Sequence, residues 1–480
     1  MAVDYDLVII GGSWAGVNAA RKATQLQARV ALVTQTDRGL IPNGAWWKAS
    51  LSEVGHLNYQ LANDPFAATE YQFPMISFMA ANLWAMGINK VLEQQNSLAS
   101  LAAEGVDVIV GRGEFIAKPQ LALRVQERKL RSRYFLLAMG TISQPNFSRD
   151  SYLTVDDLFQ QDWSNLEQDL IVVGSDPTAL ELAQTLARFS KQVTLVVEKS
   201  RILPQEDLDV VSLIQGQLEA EGVKIYTNSK VSQIKTIEQQ QWLQAGDRAL
   251  AADQIIFTEE RQPNITGLNL AAVNVKYDQQ RIFVNQRLQT TNPKIFACGD
   301  LIGGYNLPNI TNYEINLILK NILLFPIYKT DYFALPWGML TRPNFARVGW
   351  NEAQAKQRFG SDIYIIKEHV ADIAQAQISQ ATTGICKLLV KTNGEIVGCS
   401  LFCDRAAELI TIIALMIKHK VRLKSNPFNG LTDLSSPFIY PSMTEIIERA
   451  SNNFYRQKLE RNPRLRNRLR SWFSLRKSWH

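Results

Sequence analysis

The sequence predicts an α/β protein: two Rossmann-like nucleotide-binding domains followed by an α+β region. Three observations carry that expectation. The apolar run LVII at 7–10 leads through Gly11-Gly12-Ser13-Trp14-Ala15-Gly16 into an alanine-rich stretch. The segment DLIVVGSDPTALELA at 169–183 repeats the same strand, glycine turn and helix pattern. TTNPKIFACGD at 290–300 closes a further apolar run on a glycine and a carboxylate. Each strand–turn–helix unit implies parallel pairing, because parallel strands need a crossover between them.

Bulk properties agree with several soluble-type domains: 480 residues, 46% hydrophobic and 20% charged. No basic leader precedes the apolar run at residue 7, so no secretory signal is expected. The most apolar long window, Ile310 to Tyr328, contains Glu314, Lys320 and Pro326, which argues against a membrane span. Four cysteines (Cys298, Cys386, Cys399, Cys403) are too few and too clustered for a secreted disulfide framework. A cytoplasmic setting is expected. The net charge of +6 belongs to the tail: residues 452–480 carry nine basic groups and one acid, leaving 42 basic against 44 acidic elsewhere. A core of that balance is not a nucleic-acid binder.

The first turn is GxGxxG with serine at the second glycine. Such a turn brings backbone amides and the positive helix end up to a pyrophosphate. The following strand, ARVALVT, ends on Thr34 rather than on the acid that would hold a ribose. Tyr134–Gly140 (YFLLAMG) is a strand ending in Ala138-Met139-Gly140, and Asp300 after Gly299 is a carboxylate suited to sugar-chain hydroxyls. In the second turn Gly174 opens, Ala179 takes the third glycine's place, and Glu198 ends the next strand. Glu198 suits a free ribose hydroxyl and so NADH, whereas Lys199 and Arg201 would attract the extra phosphate of NADPH. Asp176 stands at the second glycine's position. There it either repels a pyrophosphate or simply caps the helix. Residues 334–450 then read as strands with an Asn393-Gly394 turn and an amphipathic helix.

Taken in order, GGSWAG, AMG and TNPKIFACGD resemble the flavin- and pyridine nucleotide-dependent disulfide oxidoreductase family of glutathione reductase, dihydrolipoamide dehydrogenase and mercuric reductase, over roughly residues 4–450. The resemblance implies FAD, NAD(P)H and a homodimer built through a C-terminal α+β dimerisation domain. It divides the chain into an FAD-binding domain at 1–147 and 266–330, an NAD(P)-binding domain at 148–265, a dimerisation domain at 331–451 and a basic tail at 452–480. It also implies that Gly11, Gly12, Ser13, Gly16, Ala138, Gly140, Gly299 and Asp300 line the FAD site, and that Gly174, Ala179 and Glu198 line the NAD(P) site. Lys48 stands where the family pairs a lysine with a glutamate, here Glu181, beside the flavin. Pro177 replaces the family's aromatic gate. Tyr440-Pro441 replaces its His-Pro, with Glu445 in the place of the orienting carboxylate.

The departure that matters is GLIPNGAWWKAS at 39–50, where the family places two cysteines five residues apart. Anchoring on Lys48 puts glycines at those positions; anchoring on Asn43 puts Ile41 and Trp46 there. The first cysteine of the chain is Cys298. The expectation is therefore an NAD(P)H oxidoreductase passing electrons from flavin to a small-molecule acceptor other than a disulfide. A quinone stacked on Trp46 and Trp47 is one candidate. Transhydrogenation between NADH and NADPH and a flavin-binding scaffold without turnover are the alternatives. No metal site is expected. In the tail, Asn462 and Pro463 start a helix on which Leu465, Leu469, Trp472, Phe473 and Trp479 recur among arginines. That pattern suits docking on an anionic membrane surface or packing on the dimer.

Overall fold

The computed structural model describes residues 3–35, 44–63, 75–158, 166–304, 307–423 and 439–477. The chain forms two compact units, one of residues 1–202 and 221–330, the other of residues 203–220 and 331–480.

The first unit holds two parallel five-stranded sheets. One runs, in spatial order, Ile295–Ala297, Ser132–Leu137, Tyr5–Ile10, Val30–Thr34 and Asp107–Val110. Its central strands are buried on both faces, which is why they read as unbroken Val/Ile/Leu runs. One face is covered by helices Trp14–Gln25 and Pro308–Leu319. Val17, Ala19, Ala20 and Ala23 of the first helix are buried, small residues that let it lie close to the strands. The opposite face carries Phe115, Leu123 and Val125 from a small antiparallel sheet.

The second parallel sheet runs Lys224–Tyr226, Gln192–Val196, Asp169–Val173, Gln254–Phe257 and Leu153–Thr154. Helix Pro177–Arg188 follows its central strand, and an antiparallel three-stranded sheet covers Ile171 and Phe257. Both strand–turn–helix motifs thus sit at the carboxyl ends of central strands, where open α/β sheets bind their ligands.

The second unit is built on an antiparallel sheet in the order Trp337–Met339, Asn344–Gly349, Ile396–Cys403, Ile385–Lys391 and Ile363–His369. Asn393 and Gly394 turn the central hairpin as expected, with Gly394 at φ +87°. Helices Ala406–Lys418 and Glu445–Arg461 pack on the sheet. Helix Leu208–Ala220 groups with this unit. Its start is pinned by buried Lys387, whose Nζ lies 3.2 Å from Asp207, 2.8 Å from Asp209 and 2.5 Å from Glu352. Lys367 on Asp209 and Lys356 on Glu352 add two further ammoniums, so the three carboxylates face three cations and the buried charge is balanced.

The helix over Glu445–Arg461 crosses the position where charge alone set the start of the tail. Phe454 is fully buried against Tyr364, with ring centroids 5.2 Å apart, so core packing continues three residues past Ser451 and the helix itself runs on to Arg461. A separate helix, Pro463–Lys477, follows. Asn462 caps it as expected, its Oδ1 accepting from the Leu465 amide at 3.0 Å. Among the described residues no helix is long and apolar enough to cross a membrane.

Candidate functional site

A cleft of about 980 Å³ in the first unit is lined by six of the predicted residues. Ser13, Ala138, Gly140, Gly299 and Asp300 line it from one nucleotide fold, and Asp176, Thr258 and Glu259 from the other, with Lys48 between.

The first turn is built as its composition demands. Gly11 adopts φ +127°, and a Cβ there would meet the Ala138 carbonyl oxygen at 2.4 Å. A Cβ on Gly16 would meet the Gly11 carbonyl oxygen at 1.9 Å. Any side chain at either position pushes the helix off the strand. Serine at the second glycine position is accommodated because it turns away: its Oγ donates to the Ala138 carbonyl at 2.7 Å and makes no cap on its own helix. The amides at the start of helix Trp14–Gln25 are thereby left to a ligand. Asp300 Oδ2 accepts from the Thr141 amide at 3.1 Å and from Thr141 Oγ1 at 2.5 Å. Gly299 takes φ +71° and donates its amide to buried Glu314 at 2.7 Å, which aims the next residue into the cleft. A helix-end cradle that Cβ atoms would fill, beside a carboxylate suited to hydroxyls, fits FAD.

Lys48 and Glu181 meet. Lys48 Nζ lies 3.0 Å from Glu181 Oε2 and 3.4 Å from Thr178 Oγ1, with both side chains largely shielded. The helix pair Gly44–Ala62 and Pro177–Arg188 explains the register. Gly55 faces the second helix, where a Cβ would lie in ordinary contact with Arg188 Cβ and the Phe189 ring at 3.4 Å. Arg188 in turn stacks on Tyr59 at 4.8 Å and forms a wholly buried pair with Glu221 at 2.7 Å. Lys48, Gly55 and Tyr59 thus share one helix face, as do Glu181 and Arg188 on the other helix.

The second turn differs from the first. Gly174 takes φ +154°, and a Cβ there would meet Thr258 Oγ1 at 2.1 Å, so the glycine is required. Asp176 caps the helix: its Oδ1 accepts from the Ala179 amide at 3.0 Å and from Thr258 Oγ1 at 2.8 Å. Burial and the neighbouring Glu259 charge push its carboxyl up to about 6, against the pull of Lys48. Glu259 Oε1 accepts from the Ser175 amide at 2.6 Å and from Ser175 Oγ at 2.8 Å. Donors that would face a pyrophosphate are therefore held by the chain's own carboxylates. This turn as it stands does not fit a dinucleotide. Glu198 is exposed and lies 3.5 Å from Lys230.

Sequence reasoning passed over Glu259, Thr258 and Arg261. Arg261 Nε donates to Thr141 Oγ1 and its Nη2 to the Thr141 carbonyl, both at 2.7 Å, bracing the residue that holds Asp300. The available signal was TEERQP at 258–263, a charged run directly after a buried strand.

Other expectations fall elsewhere. Trp47 is no open wall for a ring: it is buried, and its Nε1 donates to Asn82 at 2.7 Å. Ile41 and Asn43 lie outside the described residues, as does Trp479 of the tail. Tyr440 belongs to the second unit and is 73% exposed, while Glu445 accepts from the Ala374 amide at 3.2 Å and from Arg449 at 3.1 Å. All four cysteines are buried free thiols. Burial and the charges of Glu314 and Asp300 push Cys298 well up. Among the described residues no cluster that would hold a metal occurs.

Fold and site together define a mixed α/β protein with two dinucleotide folds and a C-terminal dimerisation domain. The chain belongs to the pyridine nucleotide-disulphide oxidoreductase family, whose model matches residues 5–315, with the family's dimerisation domain matching residues 335–451. It is 27% identical to a mercuric reductase of Staphylococcus aureus over 94% of this chain and 82% of that one. It is 26% identical to a dihydrolipoyl dehydrogenase of Bacillus subtilis over 92% and 97% of the two chains. The solved HOCl-induced flavoprotein disulfide reductase RclA from Escherichia coli superposes with a TM-score of 0.78 at 25% identity, covering 92% of this chain and 98% of that one. Members of the family are FAD-dependent and take electrons from NAD(P)H, and the dimerisation domain supports a homodimer.

Proposed function

We propose that the protein is an FAD-dependent NAD(P)H oxidoreductase whose flavin passes electrons directly to a small acceptor other than a disulfide, a quinone-class ring being the leading candidate. The observation that carries this reading is Lys48, paired with Glu181 and lining the cleft, in a chain whose first cysteine is the buried Cys298. FAD, when bound, supplies the two-electron chemistry. The residues of the chain supply the rest. Gly11, Gly12, Ser13 and Gly16 seat its phosphates; Ala138, Gly140, Gly299 and Asp300 line its sugar chain. Lys48, held in place by Glu181, presents a cation that stabilises negative charge developing in the cleft. Gly174, Ala179 and Glu198 belong to the donor's domain. Tyr440 acts in the homodimer by analogy with the family's His-Pro. The domain boundaries and the membrane role of the tail are part of the same reading.

The test is anaerobic stopped-flow reduction of the holoprotein by NADH and by NADPH, followed by a screen of quinone, disulfide and metal-ion acceptors. Flavin bleaching followed by reoxidation with a quinone but not with a disulfide supports the reading. Turnover of a disulfide with none of a quinone defeats it. One observation favours a second reading, a flavin-binding scaffold without turnover: the Glu259 carboxylate already takes the Ser175 amide and hydroxyl in the second nucleotide turn. A flavin that no nicotinamide nucleotide bleaches would decide for it.

A further inference from the structure

We infer that Glu259 and Asp176 form an autoinhibitory plug in the second nucleotide turn, so that a dinucleotide pyrophosphate enters only by displacing the Glu259 side chain. This rests on the reading that NAD(P)H is the electron donor, and it names the residues that restrict that donor.

Strand Gln254–Phe257 pairs with Asp169–Val173 in parallel, so the residues just past both strands lie side by side. That adjacency puts Thr258 and Glu259 beside Gly174, Ser175 and Asp176. Glu259 then closes on the turn with two hydrogen bonds to Ser175, and Ser175 is itself buried. Glu260 follows at φ +59°, a left-handed conformation that a non-glycine residue takes at a cost. The backbone thus bends sharply right after the residue whose carboxylate enters the turn. The Asp176 carboxylate holds the Ala179 amide, completing the set. A carboxylate on these donors mimics one end of a pyrophosphate and repels the rest of it. In the first turn the corresponding position is Ser13, which is neutral and directed away, so the two turns of one chain differ in whether they are open.

The test compares binding of NADH, ADP-ribose and adenosine to the FAD-loaded protein, its Glu259→Gln and Glu259→Ala variants, and a Glu259→Ala/Asp176→Gly double variant, by calorimetry. Retained flavin absorbance certifies folding of each. Removing the plug should tighten NADH and ADP-ribose by about 10- to 100-fold, the size of a charged hydrogen-bond set. Adenosine, which has no phosphate, should bind the same throughout, a pattern that general loosening of the fold would not produce. Equal affinity for ADP-ribose in all four proteins, or absence of binding in all four, overturns the plug. The donor reading fails separately, if saturating NADH and NADPH leave the flavin oxidised in the wild type and in the variants alike.

Discussion

Asp300 takes two hydrogen bonds from Thr141 through Oδ2 alone, and Thr141 is braced by Arg261. Asp300→Ala removes the acceptor for the sugar chain of the cofactor, so the purified variant should retain FAD roughly 10-fold less tightly. The flavin-to-protein absorbance ratio after gel filtration measures this. Lys48→Ala should slow flavin reduction by NADH about 10- to 100-fold, as loss of one well-placed electrostatic contact does, with flavin content unchanged. Asp176 offers a pH test. Its carboxyl titrates near 6 in the fold and near 3.9 in an unfolded chain. Its contribution to stability is therefore full below about pH 4 and lost as pH rises through about 6. The charges facing it are Glu259, which raises the carboxyl, and Lys48, which lowers it. Asp176→Asn keeps a side-chain acceptor and should raise stability at pH 7.5 by on the order of 1–3 kcal/mol. Denaturation curves should show that gain shrinking to nothing near pH 4.

At the scale of elements, the packing of helix Gly44–Ala62 on helix Pro177–Arg188 carries the site. The Arg188–Glu221 pair is 2% and 1% exposed, so Arg188→Ala removes the guanidinium from beside a buried carboxylate. A loss of about 3–5 kcal/mol is expected, read as a lower midpoint in urea. The tail makes an independent element. Helix Pro463–Lys477 has no buried residue, and Phe473 and Leu475 are more than half exposed among its arginines. Full-length protein should cosediment with anionic vesicles at low salt, and a chain ending at Asn462 should not. The cut belongs at Asn462 because residues 452–461 hold Phe454 in the core. Equal sedimentation of both chains would remove the membrane role.

Across the whole molecule, the four thiols are free and buried, three of them in the sheet of the dimerisation domain. Half-reduction of the holoprotein should therefore give no long-wavelength thiolate-to-flavin charge-transfer band. Titration with dithionite under nitrogen, followed by its visible spectrum, measures this. Light scattering should return the mass of a homodimer.

Much of this was legible in the chain itself. Strand and helix classes, both glycine turns, the hairpin at Asn393-Gly394 and the helix start at Asn462 follow from local rules: buried strands are continuous apolar runs, tight turns need glycine, and helix ends need caps. Tertiary structure alone decided three matters. The second donor on the Asp176 cap is Thr258, eighty-two residues away. Whether the second turn is open depended on Glu259, brought to Ser175 only by parallel pairing of two strands far apart in sequence. Whether Trp47 is surface or core depended on Asn82 from another helix. Local sequence specifies backbone shape, because that is governed by neighbours along the chain. Who satisfies a given donor is governed by neighbours in space, and a strand crossover sets those.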